Sequence, residues 1–287
     1  MGDQLEPTDD PIDSGAVYSE RLISVQDGVE LKVMEWRPER TDQPPLYFVA
    51  GWVSVVEGWR PLLEVLVRRR PVVYIETREK RSARIDSRRM RVEEFGVERL
   101  AEDLRAVGRV LGADRSSAVW FGSSMGSTAI LESLKGGRLP ARAAFLVGPN
   151  AEFHFPRWSL PLLRVPAGSY SVAKHFVIWY LRHFRVDVRR EPDQMRRYER
   201  TLNAAEPLRL KLSARAVVGY SLWPELGTVT VPVAIAYASS DVLHHEGEAK
   251  SIVATLPAGL AVECPSNTYM HRAEVARDID EFIAGLG

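Results

Sequence analysis

Hydrophobic and polar positions alternate near the start of the chain, as they do in half-buried β-strands. Two such runs, 18–25 and 29–36, are joined by Asp27-Gly28. This dipeptide is typical of tight hairpins, because both central positions of such a turn take a positive φ. The pattern predicts an antiparallel hairpin at the beginning of the fold.

Short apolar runs then alternate with segments of helical spacing. The runs are too short for helices and favour buried parallel strands. We predict strands at 45–50, 71–76, 117–121 and 143–147, and helices at 59–69, 92–111 and 124–134. The polar, basic residues 77–91 are interpreted as a loop.

The strand pattern stops between about residues 150 and 227, where aromatic and arginine-rich stretches at 172–184 and 192–202 predict helices. It resumes with strands at 231–238 and 260–264 and helices at 247–256 and 271–286. The alternation predicts an α/β protein, with a mostly parallel twisted sheet and helices on both faces.

Three parts of the chain follow from these patterns. Residues 17–149 and 228–287 form the core, and 150–227 form a helical cap at the sheet edge where active sites lie. Residues 1–16, which are acidic and polar, form an N-terminal arm that we expect to be disordered or loosely docked.

Composition excludes several classes of protein. The 287 residues carry a net charge of zero, which gives no electrostatic reason to expect a nucleic-acid partner. A single cysteine, Cys264, excludes a disulfide framework or a cysteine-rich metal site. With no secretory signal and no apolar run long enough to span a membrane, we expect a cytoplasmic protein. We also expect it to need no cofactor or metal.

The strongest chemical signal is Ser124, at the centre of the sequence Gly-Ser-Ser-Met-Gly over residues 122–126. Glycines two residues before and after a serine permit a tight strand-to-helix turn that exposes the hydroxyl. The competing Ser123 has large residues, Phe121 and Met125, at these positions, and Ser127 has Met125 before it and sits a turn into the helix. The alternative is a glycine-rich turn in which the serine hydroxyl caps a helix.

A serine nucleophile needs a base, and the base needs an orienting acid. Asp241 follows the strand at 231–238, and His271 follows the strand at 260–264 and its loop. The alternatives are a turn-capping aspartate and a solvent-facing histidine at a helix start. His244 and His245 lie too close in sequence to Asp241 to serve easily as its base.

The order of elements from about residue 19 to the C-terminus resembles the α/β-hydrolase fold superfamily, and residues 122–126 resemble its nucleophile elbow. The resemblance implies a catalytic triad of Ser124, Asp241 and His271, in the chain order of that family. It also implies an oxyanion hole formed by the backbone N–H groups of Met125 and Trp52.

Two departures from the family pattern stand out. Ala50-Gly51 replaces a frequent His-Gly, and the segment after the strand at 71–76 lacks the usual Gly-x-Gly-x-Ser. Residues 78–91 instead contain seven basic side chains and two acidic ones. We favour a solvated loop there, with an anion-binding site as the alternative.

These features predict a serine hydrolase that cleaves carboxylic esters through an acyl-enzyme. Its partner would be a small-molecule ester or thioester, and the chain carries no signal of oligomeric state. Candidate pocket residues are aromatic or lie in the cap: Trp52, His154, Phe155, Trp158 and Trp179. Trp52 has packing beneath the cap as its alternative role, and His175 and His183 are expected to be ordinary cap residues.

Two other functions remain open. One is thioesterase, acyltransferase or lyase chemistry on a carboxylate- or CoA-bearing substrate held by the basic segment. The other is a non-catalytic binding protein of hydrolase fold, against which the three triad candidates argue.

Overall fold

The computed structural model describes residues 10–12, 14–154, 170–185, 188, 192–239, 241 and 246–286. Its strands are β1 (Val17–Gln26), β2 (Val29–Arg37), β3 (Leu46–Val49), β4 (Val72–Ile75), β5 (Arg84–Ile85), β6 (Val119–Ser123), β7 (Ala143–Val147), β8 (Val233–Tyr237) and β9 (Gly259–Glu263). The helices are α1 (Arg60–Leu66), α2 (Val97–Val110), α3 (Met125–Leu134), α4 (Tyr170–Tyr180), α5 (Pro192–Ala204), α6 (Pro207–Ala216), α7 (Glu246–Thr255) and α8 (Val275–Ala284).

The strands form one sheet in the order β1-β2-β4-β3-β6-β7-β8-β9, with the short β5 paired to β2. Pairing is antiparallel from β1 to β4 and parallel from β4 to β9. The predicted mostly parallel sheet is therefore confirmed. Every residue of β3, β4, β6, β7 and β8 is buried, which explains their continuous apolar sequences.

Apolar side chains pack on both faces of the sheet. One face carries the buried side chains of α2, α3 and α7, and the other carries those of α1 and α8. Alternate residues of each strand feed the two clusters: Tyr47 and Val49 join the first, and Leu46 and Phe48 the second. The predicted helices on both faces are confirmed.

The hairpin of β1 and β2 is confirmed, but its turn differs from the expected one. Gly28 has a φ of 76°, whereas Asp27 is not among the residues with positive φ. The strand register shifts between Ser24 and Gln26, as a bulge beside the turn requires. One left-handed residue therefore closes this hairpin, not two.

Helix boundaries differ where local backbone geometry interrupts the pattern. Gly96 is extended, with φ −72° and ψ 165°, so a 3₁₀ turn at 92–95 precedes α2 and the helix does not begin at residue 92. Another 3₁₀ turn ends at His271, and α8 begins only at Val275. The unpredicted α6 begins at Pro207, where the side chain of Glu206 accepts a hydrogen bond from the Arg209 N–H.

The described part of the N-terminal arm is held against the sheet. Ile12 is buried in the same cluster as Trp36, and the Trp36 indole donates to Asp10 Oδ1 at 2.8 Å. Arg60 donates to the Ile12 carbonyl. The expectation of disorder or loose docking therefore misses an apolar anchor at Ile12 and an acceptor for a buried indole N–H.

Candidate active site

Ser124 stands at a strained turn between β6 and α3. Its φ of 50° and ψ of −119° are unusual for a residue with a side chain, and they cost conformational energy. The Ser124 N–H donates to the Val147 carbonyl of the neighbouring strand at 2.8 Å. The side chain is only partly buried and makes no capping hydrogen bond to α3. The helix-cap interpretation of this serine is therefore wrong.

The two glycines of the motif are required by close packing around the turn. A Cβ at Gly126 would lie 2.2 Å from the Val49 carbonyl oxygen of β3. A Cβ at Gly122 would lie 2.8 Å from the backbone nitrogen of Ser127. Larger residues at either position would push α3 away from the sheet and change where Ser124 points.

Other potential nucleophiles near the site are unsuited to attack. Ser127 is fully buried and donates to the Val147 carbonyl at 2.9 Å, and Ser123 is 5% exposed. Burial raises the pKa of the Cys264 thiol to about 12, so the thiol is protonated at neutral pH. Among these residues, Ser124 is the one whose hydroxyl is presented.

His271 is oriented by two contacts. Its Nδ1 lies 2.8 Å from the Asn267 carbonyl oxygen, and its ring stacks on Trp59 with centroids 4.6 Å apart. A carbonyl oxygen can only accept, so in the neutral ring Nδ1 carries the proton and Nε2 is left as a proton acceptor. The ring is partly buried, unlike a solvent-facing histidine at a helix start.

Asp241 is a buried carboxylate, 5% exposed, and its backbone N–H closes a turn onto the Ala238 carbonyl at 3.0 Å. Its Oδ2 accepts from the side-chain amide of Asn267 at 2.6 Å. Asn267 therefore connects the acid to the base, because its side chain contacts Asp241 and its carbonyl contacts His271. Sequence reasoning missed Asn267; its place one turn before His271 was the available signal.

The sheet topology explains why these residues share one edge. β6, β7, β8 and β9 are parallel neighbours, and Ser123 is in register with Val147, which is in register with Ala236. Ser124 follows β6, Asp241 follows β8 and His271 follows β9. All three therefore follow the carboxyl ends of their strands, where sites form in α/β sheets.

The start of α3 and the 51–54 loop both lie beside the turn. Met125 is the first residue of α3, so its N–H has no acceptor within the helix. The 51–54 loop, which follows β3, packs against the turn; a Cβ at Gly51 would lie 3.4 Å from the Ser124 Cβ. The loop closes through a hydrogen bond from the Ser54 N–H to the Gly51 carbonyl at 3.0 Å.

Asn150 is a further residue beside Ser124. Its side-chain Nδ2 donates to the Ser124 Oγ at 3.4 Å, and its backbone bonds twice to the Thr128 hydroxyl, at 2.9 and 3.0 Å. Sequence reasoning missed it as well. A polar residue directly after Gly148-Pro149, at the end of β7, was the signal that could have found it.

The pocket candidates are not gathered at one place. Trp52 is partly buried and packs on the apolar core, and its indole Nε1 is buried without an acceptor among the described residues. His154 is exposed and pairs with Glu152. Trp179 is 47% exposed and stacks on the Phe176 ring of α4. Phe155 and Trp158 lie outside the described residues.

Two other histidines, His175 and His183, lie in the predicted cap. His175, on α4, and His183, in the helical turn at 181–185, are both exposed. His244 and His245 lie outside the described residues. Across the part of the chain that the structure describes, no cluster of three or more His, Cys, Asp or Glu side chains is placed to hold a metal ion.

The basic segment is largely occupied by internal ion pairs. Arg78 is fully buried and binds Asp103 Oδ2 at 2.5 Å and Glu94 Oε2 at 2.9 Å. Burial lowers the pKa of Arg78, but its bonds to the two carboxylates outweigh this and raise the pKa above its usual value. The other pairs are Lys80–Glu79, Arg84–Glu30, Arg88–Asp27, Arg88–Asp86 and Arg89–Glu94.

The solvated-loop interpretation is therefore wrong for 77–80, where all four residues are buried. It describes residues 81–91 better, although these also contain β5 and a 3₁₀ turn at 87–89. Within the described ranges, none of the helices is both long and apolar enough to cross a bilayer.

Comparison with known proteins gives structural likeness without sequence likeness. No protein-family model matches the chain, and no curated protein matches it. An enol-lactonase from Burkholderia xenovorans is 16% identical with a TM-score of 0.71, over 92% of this chain and 98% of that one. A thermophilic esterase from Thermogutta terrifontis is 16% identical with a TM-score of 0.72, over 93% and 98%.

A bromoperoxidase from Bacillus anthracis is 12% identical with a TM-score of 0.70, over 93% of this chain and 99% of that one. These solved structures have three different names for their activities, so the likeness carries an architecture and not a reaction. The predicted architecture is confirmed: this chain has the α/β-hydrolase fold.

Proposed function

We propose that this chain is a serine hydrolase that cleaves carboxylic esters through an acyl-enzyme on Ser124. The observation that carries the proposal is the turn at Ser124, where a strained backbone presents a hydroxyl that caps no helix. The orientation of His271 supports it, because a proton on Nδ1 leaves Nε2 as the base.

The proposed reaction has two steps, acylation of Ser124 and hydrolysis of the acyl-enzyme. His271 Nε2 takes the proton from the Ser124 hydroxyl as its oxygen attacks the acyl carbon, and the N–H groups of Met125 and Trp52 bind the resulting oxyanion. Collapse breaks the ester bond, and the leaving alcohol takes the proton from His271. Water then attacks the acyl-enzyme in the same way and releases the acid.

Asp241 and Asn267 act on the charge that forms on His271. The imidazolium is stabilised by the negative charge of Asp241, whose position is held by the Asn267 amide at 2.6 Å. Asn150 lies against the Ser124 oxygen and helps to hold the hydroxyl in one orientation.

We also propose that residues 150–227 form a cap over this site, on a core formed by residues 17–149 and 228–287. The two ends of this proposed cap meet. Glu152 and Ser221 form an isolated antiparallel β-bridge, and the Leu222 N–H donates to the Ala151 carbonyl at 2.8 Å. Trp52, in the 51–54 loop, remains our candidate for the pocket wall. The exposure of His154 and Trp179 gives no support for placing them there.

Ester chemistry is preferred over chemistry on an anionic substrate. Five of the seven basic residues in 78–91 have carboxylate partners within the chain, which leaves little free charge for a carboxylate or CoA phosphate. The esterase and the enol-lactonase among the structural neighbours make esters and lactones the first substrates to try.

The test is a hydrolysis screen with p-nitrophenyl esters from acetate to palmitate, beside aliphatic lactones and acyl-CoAs. We expect the wild type to hydrolyse at least one ester or lactone, and Ser124→Ala to lose that activity while keeping its melting temperature. Activity that survives in Ser124→Ala, or a wild type inert toward every ester and lactone, would contradict the proposal.

A further inference from the structure

We propose that Glu79 is a positioning residue that, with Lys80, clamps the 51–54 loop so that the Trp52 N–H points into the oxyanion site. The inference rests on the proposed function, because an acyl-transfer site is what requires that N–H. The superfamily that this chain resembles usually has a glycine-rich segment at the position of Glu79. The buried glutamate is therefore a feature of this chain's own sequence.

The loop adopts a conformation that its sequence does not favour. Val53 has a φ of 52°, and among the described residues only two other non-glycine residues, Ser124 and Glu225, have a positive φ. A β-branched side chain at such a φ is a genuine outlier, and it persists only where surrounding contacts impose it. Val53 is 4% exposed, so those contacts are internal.

Glu79 supplies one of them. Its carboxylate is 1% exposed, and Oε1 accepts from the Val53 N–H at 3.1 Å and from the Thr77 hydroxyl at 2.7 Å. The Lys80 Nζ lies 3.7 Å from the same oxygen and supplies a compensating positive charge. A buried carboxylate needs hydrogen-bond partners, and the Val53 N–H is one of them.

Lys80 holds the other end of the loop. Its Nζ donates to the Gly51 carbonyl at 3.5 Å and to the Thr77 hydroxyl at 3.1 Å. The Gly51 carbonyl and the Trp52 N–H belong to one planar trans peptide, so they point in opposite directions. Fixing the carbonyl toward Lys80 therefore fixes the N–H of Trp52 on the opposite side.

The clamp is itself anchored. Arg78, between Thr77 and Glu79, is bound by the buried carboxylates of Asp103 and Glu94. Arg209 of α6 donates to the backbone carbonyls of Lys80 and Ala83. The 77–80 segment cannot follow the loop if the loop relaxes, so its contacts act as a fixed support.

The experiment compares Glu79→Ala with Glu79→Gln on an ester that the wild type cleaves. The alanine variant loses the acceptor for the Val53 N–H, so we expect kcat to fall about 10- to 100-fold with little change in KM, as for a weakened oxyanion donor. Glutamine keeps an acceptor and should retain most of the activity. Glu35→Ala is the matched control, because Glu35 is also buried but binds Arg21 of β1 and Arg37 of β2.

A second substitution separates positioning from general stability. Glycine populates positive φ readily, so adding Val53→Gly to Glu79→Ala should restore part of the lost kcat. A merely structural Glu79 predicts the reverse, a double variant worse than Glu79→Ala. If Glu79→Ala does not fold, Thr77→Val is the second variant, because it removes the hydroxyl that donates to the Glu79 carboxylate. This variant should lower kcat without raising KM.

The outcomes distinguish the proposed function from the positioning role of Glu79. A wild type that hydrolyses no ester overturns the proposed function, and the positioning role with it. An active wild type whose kcat is unchanged in Glu79→Ala, or in Thr77→Val where the alanine variant does not fold, overturns the positioning role and leaves the serine hydrolase standing.

Discussion

The two sides of the candidate site contain the same unusual backbone conformation, reached by different means. Ser124 has a φ of 50°, and Val53, across the site, has a φ of 52°. At Ser124 the cause is local, because flanking glycines allow α3 to pack tightly on β3. At Val53 the cause is remote, because the carboxylate that holds its N–H lies 26 residues further along the chain.

This difference determines how each side should respond to change. A turn specified by its own glycines fails when a side chain is added to it. A loop held by a distant segment fails when the supports of that segment are removed, even though the loop sequence is intact.

Removing Arg78, which anchors the 77–80 segment beneath the Val53 loop, should have the largest effect on stability. Arg78→Met leaves Asp103 and part of Glu94 as buried carboxylates without their partner, which costs about 3–5 kcal/mol of unfolding free energy. Chemical denaturation at neutral pH measures the loss. Arg84→Met is the control, since Arg84 is 75% exposed and 3.6 Å from Glu30, and should change stability little. A loss no greater than that of the control would contradict the role given to Arg78.

The same variant has a predictable pH dependence. Burial raises the pKa of Asp103 above its usual value, and loss of Arg78 raises it further. A carboxyl whose folded pKa is raised destabilises the protein above that pKa and is relieved as pH falls through it. The stability deficit of Arg78→Met should therefore shrink in mildly acidic buffer; a deficit that grows would show that Asp103 is not its source.

A single methyl group should break the local side. Gly126→Ala places a Cβ 2.2 Å from the Val49 carbonyl, so we expect a loss of about 3 kcal/mol in stability together with loss of ester hydrolysis. Gly247→Ala, in α7 with open space around the added atom, is the matched control and should be neutral or slightly stabilising. Equal thermal stability in the two variants would argue against the packing described at the turn.

Asn267→Ala tests the connection between the acid and the base. It removes a hydrogen bond to a buried carboxylate, so we expect kcat to fall about 10- to 100-fold with a smaller effect on KM. Asn203→Ala, which removes an exposed amide in α5, should leave both constants unchanged. If the two variants have equal kcat, Asn267 does not orient the pair.

Asn150→Ala should have the smallest effect. A single neutral hydrogen bond at 3.4 Å is lost from the Ser124 oxygen, which corresponds to a decrease of about 2- to 10-fold in kcat. Steady-state kinetics with one ester is sufficient. A decrease as large as that of Ser124→Ala would mean that Asn150 takes part in the chemistry and does not only orient the nucleophile.

The sequence predicts those features that have local causes. Continuous apolar runs predicted the buried strands, and the glycines around Ser124 predicted the turn. The start of α6 at Pro207 carried a readable signal in Glu206, whose side chain caps the helix. The late start of α2, after Gly96, could not be predicted, because glycine fits a helix interior or an extended residue before a helix.

Features created by distant contacts could not be predicted. A valine carries no preference for positive φ, so the local sequence gives no sign that the Val53 N–H binds the distant Glu79 carboxylate. The burial of Arg78 likewise depends on Asp103 and Glu94, which a local reading of a basic segment cannot pair with it. Asn267 acquires its place between Asp241 and His271 only when β8 and β9 lie side by side.

The central claim is that the hydroxyl of Ser124 is activated. The most direct measurement is labelling with a fluorophosphonate, followed by peptide mass spectrometry to locate the adduct in wild type, Ser123→Ala and Ser124→Ala. We predict an adduct on Ser124 in the first two proteins and none in the third. A wild type that stays unlabelled, or an adduct that persists in Ser124→Ala, would contradict the account.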